Sequence, residues 1–441
     1  MKRFPDHFQF GASTAAYQIE GAVTEDGRGE SIWDRFAHTP GKTVNGEHGD
    51  TACDHYHRWE EDLDMAAAAN MSVYRFSIAW PRLFPDGTGA RNEAGFDFYK
   101  RLIAGCHARG LEPWPCLYHW DMPQALEDRG GWTNRDMARW YADYAEAAAK
   151  AFGNDVPALV LFNEPSVFTS LGYQLGIHAP GRRGMENFAP AIHHVNLAAA
   201  EGARRVRAAA PNTKLGNVIA WAVFVPASDS DEDAHAAKWM DQHHNTGFVD
   251  PHFKGRYADL VAETVAPFVE DGDVEAMKTD FDFIGINHYI YSRCSLDQKG
   301  RPVQLRPEPG VPLTQMGWQI HPRSMTDSLT RFRELYGEVP LWVTENGVAC
   351  PDDQRTDDGR IADHDRVAYL KDHIGAVHDA IEAGVDMRGY LIWTLMDNFE
   401  WAVGYDMRFG LVETDYDTLQ RRPKLSYDWY ADLAASRALG D

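Results

Sequence analysis

Two glutamates that each end a short apolar run are the residues of this sequence best suited to chemistry. Glu345 ends the run LWVTE (341–345), and Glu164 ends the run ALVLFNE (158–164). Strands often end at a solvated charge, so a single glutamate of this kind would favour a surface interpretation. Each of these two has an asparagine beside it, and together they predict two carboxyl groups at one site.

The residue after Glu164 predicts where its strand stops. Pro165 has no amide proton to give to a sheet, and it biases the preceding residue toward extended geometry. We therefore expect Glu164 to be the last residue of its strand, facing the space beyond the strand end.

A pair of carboxyl groups with no evident metal ligands between them fits the hydrolysis of a glycosidic bond. One carboxyl group protonates the leaving oxygen, and the other attacks the sugar or activates water. Tryptophan faces suit pyranose rings, and the chain has 14 tryptophans, although most aromatic residues of any protein pack in its core. Trp393, Glu400 and Trp401 lie at or after the last apolar run, where loops would shape a pocket.

Eight short apolar runs separated by longer amphipathic stretches must position these residues. The stretches 134–152 and 363–382 repeat apolar residues at helical spacing, the second with Val367, Leu370 and Ile374 on one face. Strands that alternate with helices pair in parallel. Eight of them close most simply as a single (β/α)8 TIM barrel of class α/β, with an open doubly wound sheet as the alternative. The runs are FQFGAS, SVYRFSI, EPWPCLYH, PALVLFNE, TKLGNVIA, FDFIGINHY, PLWVTE and RGYLIWTLM.

A barrel of this kind predicts where functional residues lie in the sequence, because its active site is at the carboxyl ends of the strands. Residues fit for chemistry should gather where the runs end, and they do. They are Arg75, His119, Trp120, Asn163, Glu164, Asn287, Tyr289, Glu345 and Trp393. The 441 residues contain no low-complexity linker, so we expect one catalytic domain, 1–441.

Charge and cysteine usage narrow the partners and the compartment. The formal net charge of −23 repels phosphates and anionic membranes, so neither nucleic acid nor a membrane is expected as a partner. No apolar run approaches the roughly 18 residues that cross a bilayer. Five dispersed cysteines and an N-terminus unlike a secretory signal predict a cytoplasmic protein without an essential disulfide. The densest acidic segment, SDSDEDAH (228–235), is predicted to be a solvated loop.

Seven motifs, in order along the chain, carry a resemblance to a known family. They are FQFGASTAAYQIEGA, YRFSIAWPRLFP, LYHWDMPQALEDRGGW, LFNEP, GINHY, VTENG and WTLMDNFEWAVGY. From about Phe4 to Tyr430 the chain resembles family 1 glycoside hydrolases, the retaining β-glucosidase group. The resemblance implies hydrolysis of terminal non-reducing β-D-glucosyl residues from β-glucosides and short cello-oligosaccharides, hence a part in cellulose degradation. It leaves β-galactosides and β-fucosides open as further substrates.

Carried over residue by residue, the resemblance implies a role for each motif residue. Glu164 of NEP is the general acid/base, and Glu345 of TENG is the nucleophile. Trp393 is the platform beneath the sugar ring, while Arg75 and Asn287 support the nucleophile. The residues that border the small-molecule substrate are Gln18, His119, Asn163, Tyr289, Glu400 and Trp401.

The two carboxyl groups must differ in environment, because a neutral acid and an ionised nucleophile have to coexist at one pH. Arg75 near Glu345 would favour the anion, and the charge of Glu345 would raise the proton affinity of Glu164. When the glycosyl-enzyme forms, that charge disappears and Glu164 becomes a better base for water.

Three details of the resemblance concern individual positions. The family commonly has an aromatic residue between the Asn and Tyr of GINHY; here it is His288, which strand alternation points away from the pocket. The resemblance also implies a cis peptide between Trp393 and Thr394. The loop 295–312 is expected to border the aglycone side.

Neither a metal nor another cofactor is expected. The histidine clusters at 55–57, 193–194 and 243–244 lack the HExxH spacing of a zinc helix and predict packing or surface roles. The glycines at 27 and 29 lack a complete phosphate-binding pattern.

Three other functions are weaker interpretations of the same residues. A hydrolase of 6-phosphorylated glycosides conflicts with Glu400, whose carboxylate would repel a phosphate dianion in a closed pocket. A thioglucosidase conflicts with Glu164, because such relatives lack the acid/base glutamate. A non-catalytic sugar-binding protein on a barrel scaffold is disfavoured by the presence of both acids. The sequence leaves open the choice among glucose, galactose and fucose, and the oligomeric state.

Overall fold

The eight apolar runs form the eight strands of a closed parallel barrel. The computed structural model describes residues 2–440, and within them each barrel strand pairs with the strands before and after it, the last pairing with the first. The predicted (β/α)8 architecture is therefore confirmed. The strands are β1 (Gln9–Ser13), β2 (Val73–Ser77), β3 (Glu112–Tyr118), β4 (Ala158–Asn163), β5 (Lys214–Ala220), β6 (Phe283–Asn287), β7 (Leu341–Asn346) and β8 (Met387–Trp393).

Large side chains fill the barrel interior toward the amino ends of the strands. Trp114 of β3 packs against Trp342 of β7 and Phe283 of β6, with ring centroids 4.5 and 4.9 Å apart. Gly389 of β8 makes room for this packing, because a Cβ there would lie 2.2 Å from Trp342. The interior is thus solid at one end, and the chemistry-bearing residues at the carboxyl ends face the other.

Helices surround the barrel and bury their apolar faces against it. Met137, Trp140, Tyr141 and Tyr144 are buried on one face of the helix Met137–Phe152. The α-helices are Ala16–Ile19, Ile32–Ala37, His55–Ala68, Trp80–Leu83, Glu93–Ala108, Gln124–Glu127, Met137–Phe152, Pro165–Thr169, Met185–Ala209, Asp231–His244, Asp250–Lys254, Asp259–Val265, Asp273–Ala276, Arg323–Tyr336, His364–Glu382 and Leu425–Ser436.

The structure corrects details of the predicted helices. The helix expected from 134 begins at Met137, and in the helix His364–Glu382 Leu370 and Ile374 are buried whereas Val367 is only half-buried. The acidic segment 228–235 is not wholly a loop. Ser230 caps the helix Asp231–His244 by accepting a hydrogen bond from the amide of Asp233, and acidic residues in a first helical turn complement the helix dipole.

Within residues 2–440, three small sheets accompany the barrel. A three-stranded sheet is built from segments that follow β5 and β6, and two-stranded ribbons lie elsewhere. The strands are Val223–Pro226, Tyr291–Leu296 and Pro302–Gln304 in the first, Lys2–Arg3 with Ala438–Leu439 in the second, and Val412–Thr414 with Arg421–Pro423 in the third.

Two further observations concern helices and thiols. Among residues 2–440, none of the helices combines the length and the apolar character that a membrane span requires.

The cysteines at 53, 106, 116, 294 and 350 are all buried, free thiols.

Candidate active site

Glu164 lies just beyond the end of β4 and not inside it. The strand ends at Asn163, and Glu164 adopts the left-handed region, with φ 50° and ψ 62°, before the short helix Pro165–Thr169. The expectation of an extended last strand residue was therefore wrong. The proline bias before Pro165 is overridden by tertiary contacts: the Glu164 amide donates to Val218 O at 2.9 Å, and its Oε1 accepts from Asn287 Nδ2 at 2.9 Å.

Glu345 lies within β7 and pairs with a buried arginine. Arg75 Nη1 of β2 donates to Glu345 Oε1 at 2.7 Å, and the arginine side chain is wholly buried. A charged pair this close in a site shielded from water interacts far more strongly than it would on the surface. Arg75 thus favours the ionised form of Glu345.

The asparagines at the ends of β4 and β6 join the two carboxyl groups. Asn163 Oδ1 accepts from Arg75 Nη2 at 2.7 Å and from Asn287 Nδ2 at 3.0 Å. Asn287 Nδ2 also donates to Glu164, and its Oδ1 accepts from Thr344 Oγ1 at 2.7 Å. Donors and acceptors are consistent around this chain of contacts, which fixes both amide orientations.

The same network assigns the tautomer of His119, which follows β3. Because Asn163 Oδ1 is an acceptor, Asn163 Nδ2 donates to His119 Nε2 at 3.0 Å, and the ring proton resides on Nδ1. Burial and the nearby Arg75 hold the pKa of His119 well below its usual value, so the ring is neutral. Within residues 2–440 the Nδ1 atom has no hydrogen-bond partner. His119 therefore offers a donor to a ligand.

A second group of polar residues comes from the first helix and the loop after β8. Gln18 Nε2 donates to Phe399 O at 2.8 Å and approaches Glu400 Oε2 at 3.4 Å. Trp401 stacks on Tyr17 with ring planes 8° apart, and Trp393 at the end of β8 is nearly fully buried. The peptide between Trp393 and Thr394 is cis, as the resemblance implied.

Two more side-chain oxygens of the predicted site are free to meet a ligand. In the described part of the chain, neither Tyr289 Oη nor Gln18 Oε1 has a hydrogen-bond partner. Buried polar groups are normally paired, so orphaned atoms around one cavity suggest that a polar ligand completes them. Hydroxyl-rich molecules suit such a set, because each hydroxyl both donates and accepts.

Burial and mutual repulsion displace the carboxyl pKa values. Burial, followed by the charge of Glu345, raises the pKa of Glu164 to about 8. Burial also raises the pKa of Glu345, but Arg75 opposes this rise. Burial and the charge of Glu345 raise the pKa of Glu400 to about 8. The arrangement therefore keeps a proton on Glu164 while Glu345 is ionised.

A cavity of about 700 Å³ opens at the carboxyl ends of the strands. Of the predicted site residues, the structure brings eight to its wall: His119, Glu164, Asn287, Tyr289, Glu345, Trp393, Glu400 and Trp401. Gln18, Arg75 and Asn163 do not line it but contact residues that do. His288 is also outside the wall and bonds Trp221 O and Ser324 Oγ at 2.7 and 2.8 Å, as strand alternation predicts.

Part of the cavity wall could not be found from the apolar runs. Trp120, His178 and Trp318 line the cavity, and burial lowers the pKa of His178 to about 4, so that ring is neutral. Trp120 directly follows the third run and was named among the strand-end residues, but it was given no role in the site. His178 and Trp318 lie in irregular segments that carry no periodic signal. Pro302–Gln304 of the segment 295–312 lines the cavity, and its place on the aglycone side stays a prediction.

The donor set of this cavity suits proton transfer and nucleophilic attack better than metal binding. Within residues 2–440, no three His, Cys, Asp or Glu side chains of the cavity converge as metal ligands do. Two buried carboxyl groups remain, one in contact with Arg75 and the other with its pKa raised to about 8, beside polar atoms that have no partner among residues 2–440. This arrangement can protonate one side of a bond to a sugar and attack from the other.

Comparison with known proteins gives concordant matches over the whole chain. The family model described as Glycosyl hydrolase family 1 matches residues 1–439. The chain is 40% identical to Beta-glucosidase A of Thermotoga maritima, with 100% of both chains covered. It is 40% identical to the bifunctional beta-D-glucosidase/beta-D-fucosidase of Bifidobacterium breve, with 99% of both covered. The solved structure of the Thermotoga maritima beta-glucosidase in complex with glucoimidazole superposes with a TM-score of 0.96 at 40% identity, covering 100% of both chains.

Proposed function

The chain belongs to glycosyl hydrolase family 1 and is a β-glucosidase, and from this premise we propose that Glu164 is its acid/base and Glu345 its nucleophile. The enzyme hydrolyses terminal β-D-glucosyl residues of small-molecule β-glucosides, with retention of configuration. The observation that carries the assignment is the unequal surroundings of the two glutamates. Arg75 contacts Glu345, whereas the amide of Asn287 contacts Glu164.

The first half of the reaction forms a covalent glycosyl-enzyme. Glu164 gives its proton to the glycosidic oxygen as the bond from that oxygen to the anomeric carbon breaks. Glu345 attacks the anomeric carbon from the opposite face and forms an ester. The alcohol leaves with the proton, and the negative charge of Glu345 is consumed in the ester.

The second half returns both glutamates to their starting states. With Glu345 esterified, the charge that raised the Glu164 pKa is gone, so Glu164 is now a carboxylate that takes a proton from water. The water oxygen attacks the anomeric carbon, the ester bond breaks, and Glu345 leaves as a carboxylate. Two inversions give net retention.

The remaining predicted residues bind and orient the sugar in this proposal. The neutral His119 donates through Nδ1, Gln18 Oε1 accepts, and Glu400 accepts from two sugar hydroxyls. Trp393 provides a flat apolar face for the ring. Arg75 and Asn287 hold Glu345 and Glu164 in position, and Tyr289 lies near Glu345 and offers its unpartnered hydroxyl to the sugar. Support comes from the unpartnered atoms of Gln18, His119 and Tyr289 within residues 2–440.

The finer aspects of substrate and setting are proposals as well. We propose short cello-oligosaccharides among the natural substrates, hence a part in cellulose breakdown, and a cytoplasmic setting that suits five free thiols. The net charge of −23 supports the absence of nucleic acid and membrane partners. We propose that residues 1–441 form one catalytic domain, supported by a barrel whose strands run from Gln9 to Trp393.

The experiment that tests the two roles is proton NMR of the first-formed sugar, combined with azide rescue. The unmodified enzyme is expected to release the β-anomer first, and an initial α-anomer would falsify the double displacement. With azide and an activated aryl glucoside, Glu345→Gly should form the α-glucosyl azide and Glu164→Ala the β-glucosyl azide. The same azide anomer from both variants would overturn the assignment.

A further inference from the structure

Two histidines and an aspartate form a compact group at the surface, outside the active-site cavity. His38 caps the carboxyl end of the helix Ile32–Ala37, and His48 and Asp50 follow on the next loop. Their ligand atoms all lie within 4.8 Å of one another, and the residues are absent from the cavity wall. In the described range 2–440 this is the group of His, Cys, Asp and Glu side chains that converges in this way.

The position of the His38 proton leaves one nitrogen available. His38 Nδ1 lies 2.7 Å from Asp34 O, a carbonyl that can only accept, so Nδ1 carries the proton. In the neutral ring, Nε2 then has a free lone pair, and it faces Asp50 Oδ2 at 3.2 Å. A backbone carbonyl that fixes the tautomer of an imidazole is the usual outer support of a metal-binding histidine.

The other half of the group contains two atoms that face each other without a hydrogen bond. His48 Nδ1 lies 3.2 Å from Asp50 Oδ1. Both atoms are shielded from solvent, and within residues 2–440 neither has a hydrogen-bond partner. The rings of His38 and His48 stack with centroids 4.6 Å apart, and each has a nitrogen 3.2 Å from one oxygen of Asp50. An imidazole nitrogen and a carboxylate oxygen this close together and without partners can share a bound cation.

We propose that His38 Nε2, His48 Nδ1 and Asp50 bind a divalent transition-metal cation of the Zn²⁺ class. Imidazole and carboxylate ligands suit Zn²⁺, Ni²⁺ or Cu²⁺, whereas Mg²⁺ and Ca²⁺ prefer oxygen alone. Bonds of about 2.0–2.1 Å in a tetrahedral site put ligand atoms roughly 3.3 Å apart. The two N···O separations of 3.2 Å already have this spacing. Solvent water completes the coordination, since the outer side of His38 is exposed.

The site would brace a loop of the active-site wall without taking part in the reaction. Glu47, beside His48, accepts from the amide of Tyr405 at 2.7 Å, and the Tyr405 hydroxyl donates to His48 O at 2.8 Å. Tyr405 belongs to the loop that carries Glu400 and Trp401. Metal binding should therefore raise the melting temperature, whereas removal of the metal should leave turnover of a glucoside essentially unchanged.

Calorimetric titration of ZnCl₂ into chelator-treated enzyme near neutral pH tests the proposal. One equivalent should bind, the melting temperature should rise with ZnCl₂, and MgCl₂ should produce neither effect. His48→Ala and Asp50→Asn should each weaken Zn²⁺ binding at least as much as the loss of an outer-shell partner does, about 10–100-fold. Because both residues are half-exposed, we expect the variants to fold. Melting curves recorded without metal check this.

His57 provides the matched control. Its exposed fraction of 48% nearly equals the 49% of His38, and it also lies near two carboxylates, Asp54 and Glu25. Those contacts use opposite ring nitrogens and cannot converge on one ion, so His57→Ala should retain full Zn²⁺ binding. Absence of binding to the unmodified enzyme, or equal binding to the His48→Ala variant, would overturn the proposal. Neither result bears on the roles of Glu164 and Glu345, which anomer analysis tests separately.

Discussion

Two buried groups of charged side chains in this enzyme differ in their ratio of acidic to basic residues. In the active site, the buried Arg75 pairs with Glu345, while three carboxyl groups line the same cavity, those of Glu164, Glu345 and Glu400. Near the C-terminus, three basic and three acidic side chains interlock, here called the C-terminal ion network. Its members are Lys424, Arg366, Arg408, Asp352, Asp363 and Asp397.

The C-terminal ion network shows what a protein does when buried charges serve the fold. Lys424 Nζ lies 2.7 Å from Asp397 Oδ1, and Arg408 Nη1 lies 3.1 Å from Asp397 Oδ2. Burial raises the pKa of Asp352, but Lys424 and Arg366 oppose the rise. Each acid in the network has a basic partner within contact distance. Buried charges paired in this way are tolerated because their Coulomb attraction offsets the loss of hydration.

The active site lacks this balance, and the imbalance is what makes it reactive. With more carboxyl groups than cations, burial and repulsion keep protons on Glu164 and Glu400, whose pKa values rise to about 8. Arg75 contacts Glu345 directly and favours its ionisation, whereas for Glu164 burial and the charge of Glu345 outweigh the effect of Arg75. A balanced group fixes structure, whereas an unbalanced one retains an acid and a base side by side.

Among substitutions in these two groups, the largest expected effect is the loss of catalysis in Glu345→Gln. Removal of the nucleophile should lower kcat on the order of 10⁴- to 10⁶-fold, as for catalytic groups that act as a unit. The melting temperature should stay the same or rise, because one of three competing acids is gone. Steady-state kinetics and calorimetry measure the two quantities. A fall in melting temperature as large as that of Asp397→Asn would show that Glu345 mainly supports the fold.

The opposite pattern is expected for Lys424→Met. Removal of this buried lysine leaves Asp397 and Asp352 with one basic partner fewer, which should lower the free energy of unfolding by about 3–5 kcal/mol. The kcat of the folded fraction should remain near that of the unmodified enzyme. Denaturant unfolding and kinetics below the melting transition test this.

Arg75→Met is the matched control, because it also removes a buried cation from a group of acids. Here kcat should fall sharply, while the stability loss should be smaller than for Lys424→Met, since acids that already hold protons tolerate the missing cation. Equal destabilisation by the two substitutions would remove the distinction between the groups.

The sequence predicted the barrel and most of its site for a definite reason. The β-branched and aromatic runs ended in Glu164 and Glu345, and parallel strands bring such ends to one face. The left-handed conformation of Glu164 was not predictable from Pro165, because it depends on the hydrogen bond to Val218 O of the neighbouring strand β5. The cavity position of His178 also depends on tertiary contacts that leave no periodic mark. The helix that starts in the acidic segment 228–235 was missed because charge density outweighed the capping signal of Ser230.

A smaller effect is expected for Glu400→Ser, which removes an acid that borders the sugar. Two hydrogen bonds to the neutral acid, at a net contribution of about 0.5–1.5 kcal/mol each, predict that kcat/KM for an unphosphorylated glucoside falls roughly 5- to 150-fold. Kinetics with nitrophenyl glucoside and its 6-phosphorylated counterpart measure the change. Near-normal kinetics in a folded variant would remove Glu400 from the sugar site.

The finest test of the imbalance is the pKa of Glu164 itself, whose rise to about 8 has burial as its main cause and the charge of Glu345 as the next. Glu345→Gln removes that negative charge, so deprotonation of Glu164 becomes easier and its pKa should fall, on the order of one unit, or about 1.4 kcal/mol. Carbon-13 NMR of labelled glutamate side chains, assigned with Glu164→Gln, follows this titration. Glu400→Gln should lower the pKa of Glu164 less, because Glu400 is a weaker contributor than Glu345.

In the unmodified enzyme, activity should decline as pH rises through the Glu164 pKa, because the acid then lacks its proton. In Glu400→Gln this alkaline decline should begin at lower pH. If Glu345→Gln left the pKa of Glu164 unchanged, burial alone would account for that raised pKa. The excess of carboxyl groups over cations would then have no part in catalysis.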